Sequence, residues 1–517
     1  MFGASCTLVR LIETHISYVL LTGLYAYKIK KAVDLGFLDF STPAARHFYC
    51  RRELELNQRL APAIYLDVVS ITGTPEAPCI GGDGPAFEYA VRMREFPQEG
   101  LLTRVLARGA LSAAHLDTLA SIVAAFHGTA ATASPDSRFG STDEILALAI
   151  ENFTEMDPLI EDPADRGVLA ALRGWTGDEH AARAALFADR RRRGFVRECH
   201  GDLHLGNIAL IDRAVTIFDC IEFNDDMRWS DVMADVAFLV MDLQDRGRSD
   251  FAARFLNAYL ERTGDYEGLQ VLRFYVVYRA LVRAKVAAIT ARQAAGADAR
   301  RTKAAECSEY LVLAQRCSES PPRGIVMTHG VAGSGKTTRG QALVELAGAI
   351  RIRTDVERKR LHGMGAQDRA GSALNEGLYS AVETDRTYRH VLRLARIVVG
   401  AGFPVIVDGT FLQRRQRDQV HALAAAFDVP LVIVDFVAPV DVLRARVRQR
   451  REAGVDASDA DVRVLEHQLQ TGEPLTPDER ALAVICDTGA PTDRASDVRA
   501  WRPVLDRLHS RVLTGVT

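Results

Sequence analysis

The residues with the clearest chemical meaning form a loop that could bind phosphate. Residues 330–337 read G-V-A-G-S-G-K-T and fit the pattern G-x-x-x-x-G-K-[ST] in full. In this pattern the glycines bring backbone N–H groups close to phosphate oxygens, Lys336 reaches the β- and γ-phosphates, and Thr337 holds Mg²⁺. A predicted strand precedes the loop and a predicted helix follows it, as the chemistry requires. The predicted nucleotide-binding residues here are Gly330, Gly333, Ser334, Gly335, Lys336, Thr337 and Thr338.

Two carboxylates follow the phosphate loop in the sequence. Asp355 comes just after the candidate strand 350–353, where a carboxylate beside a phosphate loop could accept the proton of an acceptor hydroxyl. The neighbouring Arg358 could hold an acceptor phosphate or the leaving oxyanion. The alternative for Asp355 is the N-cap of a helix. Asp408 ends the candidate strand 404–407 and is a predicted Mg²⁺ ligand.

An arginine-rich helix is predicted further on, over residues 442–451. Arg446 or Arg450 could stabilise negative charge in a phosphoryl-transfer transition state. The alternative is a basic helix that only faces solvent.

A second set of reactive residues lies between positions 200 and 219. Residues 200–207 read H-G-D-L-H-L-G-N, and Asp219 follows a predicted strand twelve residues after Asn207. In kinase chemistry, the first Asp (here Asp202) accepts the acceptor proton, while the Asn and the second Asp (Asn207 and Asp219) hold metal ions. The ordered set is far more specific than any of its members.

The same chemistry requires a lysine on an early strand and a glutamate on the next helix. Lys28 and Lys30 lie on one face of a predicted strand, so either could bind ATP; we prefer Lys28. Glu53 is the preferred partner, with Glu55 as the alternative.

The elements around these residues indicate two domains. Strands followed by helices predict an α+β domain over residues 1–317, with a small β lobe (about 1–97) and a helical lobe (about 98–317). Residues 318–323 are a predicted linker. Strands and helices then alternate, which predicts an α/β domain with a parallel sheet over residues 324–517.

The second domain resembles the zeta-toxin and polynucleotide-kinase branch of the P-loop kinases. The resemblance covers residues 324–510 and rests on G-V-A-G-S-G-K-T-T, T-D-V-E-R-K-R-L, V-I-V-D-G-T-F-L and the arginine-rich segment. It implies that Asp355 is the general base and that Arg358 corresponds to the arginine that follows it.

The first domain resembles the aminoglycoside phosphotransferase family, which is related to the protein kinases. The resemblance covers residues 10–290 and rests on H-G-D-L-H-L-G-N-I and I-F-D-C-I-E-F-N-D. It implies that Asp202 is catalytic and that Asn207 and Asp219 are metal ligands. No glycine-rich loop precedes Lys28, where only Gly23 is available. The whole chain is similar to bacterial bifunctional fusions of these two domain types.

Acidic residues that follow Asp219 have several possible roles. The cluster Glu222, Asp225 and Asp226 could attract a cationic acceptor or simply stabilise a turn. We expect Asp231 and Asp235 to hold the catalytic loop rather than to contact a substrate.

Composition sets limits on partners and location. The 517 residues carry a net charge of −3, which does not indicate nucleic-acid binding by bulk charge, although nucleic acid remains possible. We find neither an 18-residue apolar run nor a signal peptide, and the eight cysteines form no C-x-x-C pair. We therefore expect a cytoplasmic protein without a membrane partner.

The sequence thus predicts an enzyme with two kinase-type sites that use ATP and Mg²⁺ and phosphorylate a hydroxyl. The acceptors stay open between small molecules and nucleotides or nucleic acid, and neither ATP rather than GTP nor the oligomeric state follows from the residues. The alternative is a nucleotide-sensing ATPase, or a toxin-like P-loop kinase controlled by the fused first domain.

Overall fold

A computed structural model describes residues 9–36, 38–320, 322–366, 368, 380–453, 460–489 and 498–509. Its packing divides the chain into two compact units. The first comprises residues 1–246 and 274–316, and the second comprises residues 247–273 and 317–517. Residues 247–273 thus pack with the P-loop region, although the sequence predicts them to be part of the first domain.

The first unit begins with an antiparallel sheet of the order β1-β2-β3-β6-β4-β5. Its strands are β1 (Arg10–Glu13), β2 (Ser17–Leu21), β3 (Tyr25–Lys30), β4 (Tyr65–Thr74), β5 (Ala77–Ile80) and β6 (Glu88–Arg94). Helix α1 (Pro43–Gln58) begins at Pro43 because Thr42 caps it, its hydroxyl accepting from the Ala45 N–H. The helix buries Cys50 against the sheet beside Tyr65 and Val91.

The rest of the first unit is mostly helical, as the sequence predicts. Two short antiparallel ladders cross it and hold the reactive loop of residues 200–207 between them. The elements are α2 (Leu102–Ala107), α3 (Ala113–Thr129), α4 (Thr142–Met156), α5 (Pro163–Arg192), β7 (Val196–Glu198), β8 (Ile208–Ile211), β9 (Ala214–Ile217), α6 (Asp225–Arg228), β10 (Trp229–Asp231) and α7 (Val232–Asp245). Every residue of α7 from Val232 to Leu243 is buried, which makes it the central helix of this unit.

Three helices follow α7. Helix α8 (Ser249–Thr263) lies wholly in the second unit, and a 3₁₀ turn at Tyr266–Gly268 follows it. Helix α9 (Leu269–Gln293) begins in the second unit and continues into the first, where α10 (Ala297–Ser318) follows.

The second unit contains the predicted parallel sheet, with the strand order β12-β13-β11-β14-β15. The strands are β11 (Ile325–His329), β12 (Ile350–Arg353), β13 (Val405–Asp408), β14 (Leu431–Val437) and β15 (Ala483–Asp487). Strands β11, β13 and β14 have fully buried apolar runs, since helices cover both faces of a parallel sheet. The helices are α11 (Lys336–Ala347), α12 (Thr354–Leu361), α13 (Ala381–Gly400), α14 (Arg414–Phe427), α15 (Val440–Ala453), α16 (Val462–Thr471), α17 (Pro477–Leu482) and α18 (Val498–His509).

Among the described residues, no helix combines the length and the apolar character needed to cross a membrane.

Candidate active sites

The loop of residues 200–207 is joined to the end of strand β9 by two bonds. His200 Nε2 donates to Phe218 O at 3.0 Å, and Phe218 N donates to Asn207 O at 3.0 Å. Asn207 Nδ2 also donates to the Asp202 carboxylate at 2.8 Å. These bonds bring Asp202, Asn207 and Asp219 together, as the sequence predicts.

Buried carboxylates from α7 hold this loop from beneath. Asp235 accepts from the backbone N–H groups of His200 at 2.7 Å and Gly201 at 2.9 Å, and Asp242 accepts from Leu205 N at 2.8 Å. Burial by itself would raise the pKa of Asp235, but hydrogen bonding to His127 and nearby positive charge lower it to about 2. Asp235 therefore stays ionised and anchors the loop, as expected.

Asp231 has a different role from Asp235. It pairs with buried Arg190 at 2.7 Å and caps α7 by accepting from Met233 N. The described contacts of Asp231 do not support the expectation that it also holds the loop of residues 200–207.

Lys28, Glu53 and Asp219 form a line of charges in the first site. Lys28 Nζ lies 2.6 Å from Asp219 Oδ1 and 2.8 Å from Glu53 Oε1. Burial would raise the pKa of Glu53, but Lys28 and Lys30 lower it to about 2. Glu55, the alternative partner, is instead an exposed residue paired with Arg52.

The second lysine of the strand is fully buried and paired elsewhere. Lys30 Nζ lies 2.8 Å from Glu53 Oε2 and contacts Glu222. Glu222 is only 4% exposed and bonded to Lys30, so the predicted alternative that it attracts a cationic acceptor is wrong for this residue. Lys28, which reaches Asp219, therefore stays the proposed ATP lysine.

Asp219 has an unusual backbone conformation. Its φ is +64°, a region that residues other than glycine seldom adopt and that is often found at functional sites. Its N–H donates to the hydroxyl oxygen of buried Tyr65 at 3.2 Å. The conformation leaves the Asp219 carboxylate beside Lys28 and 41% exposed.

His204 is a functional candidate that is not among the residues predicted from the sequence. Gly206 N donates to His204 Nδ1 at 3.0 Å, so His204 Nε2 carries the proton and faces Asp202 Oδ2 at 3.3 Å. Burial would raise the pKa of Asp202, but His204 first, and then His200, hold it well below its usual range. The spacing D-x-H could have suggested this contact, although two residues of separation do not by themselves place two side chains together.

The phosphate loop joins β11 to α11. At Gly330 (φ +135°), a Cβ would lie 2.6 Å from Phe436 O, so only glycine fits there. Lys336 Nζ donates to Gly330 O and Val331 O, each at 2.8 Å, and so occupies the inside of the loop. Burial lowers the pKa of Lys336 to about 8, against the opposing effect of Asp408 and Asp355.

A cavity of about 1140 Å³ opens beside this loop. Lys336, Thr337, Asp355, Arg358 and Asp408 all line it, together with Thr338, so the structure gathers these predicted residues around one space. The N-cap of α12 is Arg353, and Asp355 lies inside the first turn. The capping interpretation of Asp355 is therefore wrong.

The three predicted arginines have different settings around the cavity. Arg358 Nη1 lies 3.9 Å from Asp355 Oδ1. Arg446 donates to Thr488 Oγ1 at 3.0 Å and to Thr488 O at 2.6 Å, while Arg450 donates to Ala460 O at 3.3 Å. Arg446 thus fixes the turn after β15, and Thr488 in turn donates to Ser334 O at 3.0 Å.

Both sites have donors that suit a magnesium nucleotide. Asp408 is 6% exposed, and its buried Oδ2 has no hydrogen-bond partner. A buried carboxylate oxygen of this kind suits a hard cation, which Thr337 could share. In the first site, the Asn207 amide and the Asp219 carboxylate are oxygen donors of the same chemical type.

The fold and the sites together define a kinase-type phosphotransferase region followed by a P-loop kinase region. A family model described as "Phosphotransferase enzyme family" matches residues 43–275, and a model described as "AAA domain" matches residues 325–475. The chain is 32% identical to the uncharacterized proteins Rv2004c of Mycobacterium tuberculosis and Mb2027c of Mycobacterium bovis. Each alignment covers 86% of this chain and 87% of the relative. The chain therefore belongs to one family with these mycobacterial proteins.

Solved structures of kinases resemble each part of the chain at low overall similarity. A sugar kinase from Janibacter is 23% identical over 36% of this chain and 96% of its own, with a TM-score of 0.28. A choline/ethanolamine kinase family protein from Mesorhizobium loti is 12% identical over 60% of this chain and 94% of its own, with a TM-score of 0.36. At such scores these structures do not identify an acceptor.

Proposed function

We propose that this protein is an ATP- and Mg²⁺-dependent phosphotransferase with two kinase-type sites, each of which phosphorylates a hydroxyl acceptor. The supporting observation is that each unit brings together a cation for phosphate, oxygen ligands for a metal and a carboxylate for the acceptor. These are Lys28, Asn207, Asp219 and Asp202 in the first unit, and Lys336, Thr337, Asp408 and Asp355 in the second.

In the first site, Asp202 would receive the proton of the acceptor hydroxyl. The hydroxyl oxygen would bond to the γ-phosphorus of ATP, while the bond between this phosphorus and the oxygen that bridges it to the β-phosphate breaks. The low pKa of Asp202 keeps this carboxylate ionised, so that it can accept a hydrogen bond from the acceptor hydroxyl and orient it. Asn207 and Asp219 would hold Mg²⁺, which when bound neutralises phosphate charge. Lys28 would bind phosphate oxygens, with Glu53 fixing its position.

In the second site, the loop of residues 330–337 would hold the phosphates, with Lys336 as the charged group. Thr337 and Asp408 would hold Mg²⁺, and Asp355 would accept the acceptor proton. Arg358 lies beside Asp355, where it could bind an acceptor phosphate or the leaving oxygen. Arg446 and Arg450 line the same cavity and could stabilise transferred charge.

We further propose that the acceptor is a small molecule or a nucleotide, since the net charge of −3 gives nucleic acid no general attraction. A phosphorylation screen of a metabolite extract with labelled ATP, analysed by mass spectrometry, would identify the acceptors. The full chain would be compared with Asp202→Asn, Lys336→Ala and the double variant. The controls are Asp212→Asn at an exposed position and Lys303→Ala at a half-buried position outside both sites. Each site should lose its own product in its own variant. Turnover that survives the double variant would contradict the proposal.

A further inference from the structure

Residues 247–273 belong to the phosphotransferase part of the sequence but to the P-loop part of the structure. They lie inside the range 43–275 that the phosphotransferase family model matches, yet they pack within the second unit. Helix α8 lies against α11 and β12, and Ala253 of α8 is part of the second unit's core with Leu343 and Val344. The helix is therefore an integral part of the P-loop unit.

Asn257 of α8 satisfies backbone groups of the edge strand β12. Its Nδ2 donates to Ala349 O at 2.9 Å, and its Oδ1 accepts from Arg351 N at 2.7 Å. The amide is buried, with only 7% of the residue exposed. One side chain thus supplies both the donor and the acceptor that a further strand would offer to this edge.

Arg351 extends this contact to the phosphate loop. Its guanidinium donates to Thr337 O at 2.9 Å and to Gln341 Oε1 at 3.0 Å. Thr337 is the proposed Mg²⁺ ligand. Asn257 therefore fixes the backbone of Arg351, and the side chain of Arg351 fixes the first turn of α11.

Two further contacts from the same segment lie on either side of Asp355. Before it, Arg353 Nη1 donates to Glu261 Oε1 at 3.0 Å. After it, buried Glu357 accepts from the Tyr266 hydroxyl at 3.4 Å. Arg360, which also bonds Glu357, donates to Glu261 O at 2.5 Å. Both the strand that leads to Asp355 and the helix that contains it are thus attached to residues 257–266.

We propose that residues 247–273 position the P-loop site, with Asn257 and Glu261 as its positioning residues. Asn257 acts through Arg351 on Thr337, and Glu261 acts through Arg353 on the turn that carries Asp355. This inference rests on the proposed function of the P-loop site. It implies that a substitution inside the phosphotransferase sequence alters the chemistry of the other kinase region.

The test compares Asn257→Ala with Arg254→Gln in the full chain. Arg254 also joins α8 to α11, through a contact with Glu345 at 2.7 Å that involves neither Asn257 nor the backbone of β12. Both variants are made in an Asp202→Asn background, which removes the proposed base of the first site. The first measurement is the Mg²⁺ concentration that half-saturates Lys336-dependent ATP turnover. The others are the affinity for MgADP and the rate of hydrogen exchange over residues 336–341 and 351–355. Thermal melts give the loss of stability for each variant.

We expect Asn257→Ala to raise the half-saturating Mg²⁺ concentration about tenfold, because Thr337 is displaced. MgADP affinity should fall and exchange in both segments should rise. Arg254→Gln should lower the melting temperature without these changes. Should Asn257→Ala not fold, Glu261→Ala takes its place, with faster exchange expected over residues 351–355.

Two outcomes separate this inference from the proposed function. If both variants lose stability alike and Mg²⁺ requirement and exchange stay as in the wild type, the positioning role is overturned. If the wild-type chain has no Lys336-dependent turnover or nucleotide binding, the proposed function fails. Hydrogen exchange alone then tests the positioning role. Faster exchange of residues 336–341 and 351–355 in Asn257→Ala than in Arg254→Gln supports the role, and equal exchange in the two variants overturns it.

Discussion

At the scale of single residues, the two sites depend on charges whose neighbours fix their protonation. Lys28 and Lys30 are two positions apart, yet one reaches Asp219 while the other is enclosed by Glu53 and Glu222. Burying such charges is costly, so each must keep its partner. The consequences can be tested with substitutions in the first site and with pH in the second.

Replacing Glu53 should destabilise the protein strongly. Glu53→Ala leaves two buried lysines without their shared carboxylate, and breaking a buried pair of this kind costs about 3–5 kcal/mol. Denaturant unfolding monitored on the full chain would measure the loss. Glu55→Ala is the control on the same helix, since Glu55 is exposed, and should change stability by about 0.5 kcal/mol or less. Equal losses in the two variants would contradict the buried pairing.

His204 should control the protonation of Asp202. Because His204 helps to hold the pKa of Asp202 low, His204→Ala should move the acid limb of the first site's pH–rate profile to higher pH. His204→Gln keeps an N–H donor and should restore part of the shift. A lower rate with an unchanged acid limb would mean that His204 acts only on the shape of the loop.

Lys336 should make nucleotide binding pH-dependent. Its pKa in the free protein is about 8, lowered by burial, so the cation that binds phosphate is lost as pH rises through 8. ATP affinity of the second site should therefore be constant below about pH 7 and then fall, by up to about tenfold per pH unit. Calorimetry of the Asp202→Asn chain between pH 6.5 and 9.5 would show this. The same decline in a Lys336→Ala chain would assign it to another group.

At the scale of elements, the parallel strands of the second unit bring the acceptor and nucleotide groups to one edge of the sheet. Strands β11, β12 and β13 run parallel, so the phosphate loop, Asp355 and Asp408 follow strand ends on the same side. The cavity of about 1140 Å³ lies there. The groups proposed for nucleotide binding and for acceptor activation thus belong to different elements, so the two roles should be separable.

Asp355→Ala should separate transfer from binding. Asp355 is 33% exposed at its side chain and is not a cap, so its loss should leave the melting temperature within a few degrees. ATP affinity should stay within a few-fold, while single-turnover transfer falls by about 10²-fold or more. Asp385→Asn offers a matched acidic control on α13. Intact transfer in the Asp355 variant would remove this residue from the mechanism.

At the scale of the whole molecule, the two sites lie in different compact units, and α8 links the phosphotransferase sequence to the P-loop unit. The predicted domains, residues 1–317 and 324–517 with a linker at 318–323, stay predictions. In the packing, the chain passes from the first unit to the second between residues 316 and 317, and residues 247–273 also lie in the second unit. A fragment that begins at residue 318 would lack Asn257 and Glu261, so the full chain is the appropriate form for nucleotide-binding measurements.

We expect two ATP molecules to bind each chain. Lys336→Ala should reduce the stoichiometry from two to one, since Lys28 and Asp219 stay intact in the first unit. Calorimetry with a non-hydrolysable ATP analogue would measure it, with Lys303→Ala as the surface control. A wild-type stoichiometry of one would leave one unit without nucleotide binding and would contradict the proposal of two ATP sites.

The sequence by itself determined the fold class, the phosphate loop and the order of the candidate catalytic residues. Residues 330–337 act through a local backbone shape, and the strands of the second unit are continuous apolar runs, so neither depends on distant parts of the chain. Only the tertiary structure decided which lysine faces Asp219, that Asp355 is not a helix cap, and that His204 contacts Asp202. Strand alternation puts Lys28 and Lys30 on one face, so only residues about 190 positions away distinguish them. The packing of α8 could likewise not be predicted from the sequence. Asn257 bonds backbone groups that lie 92 and 94 residues away, and no local sequence pattern encodes such contacts.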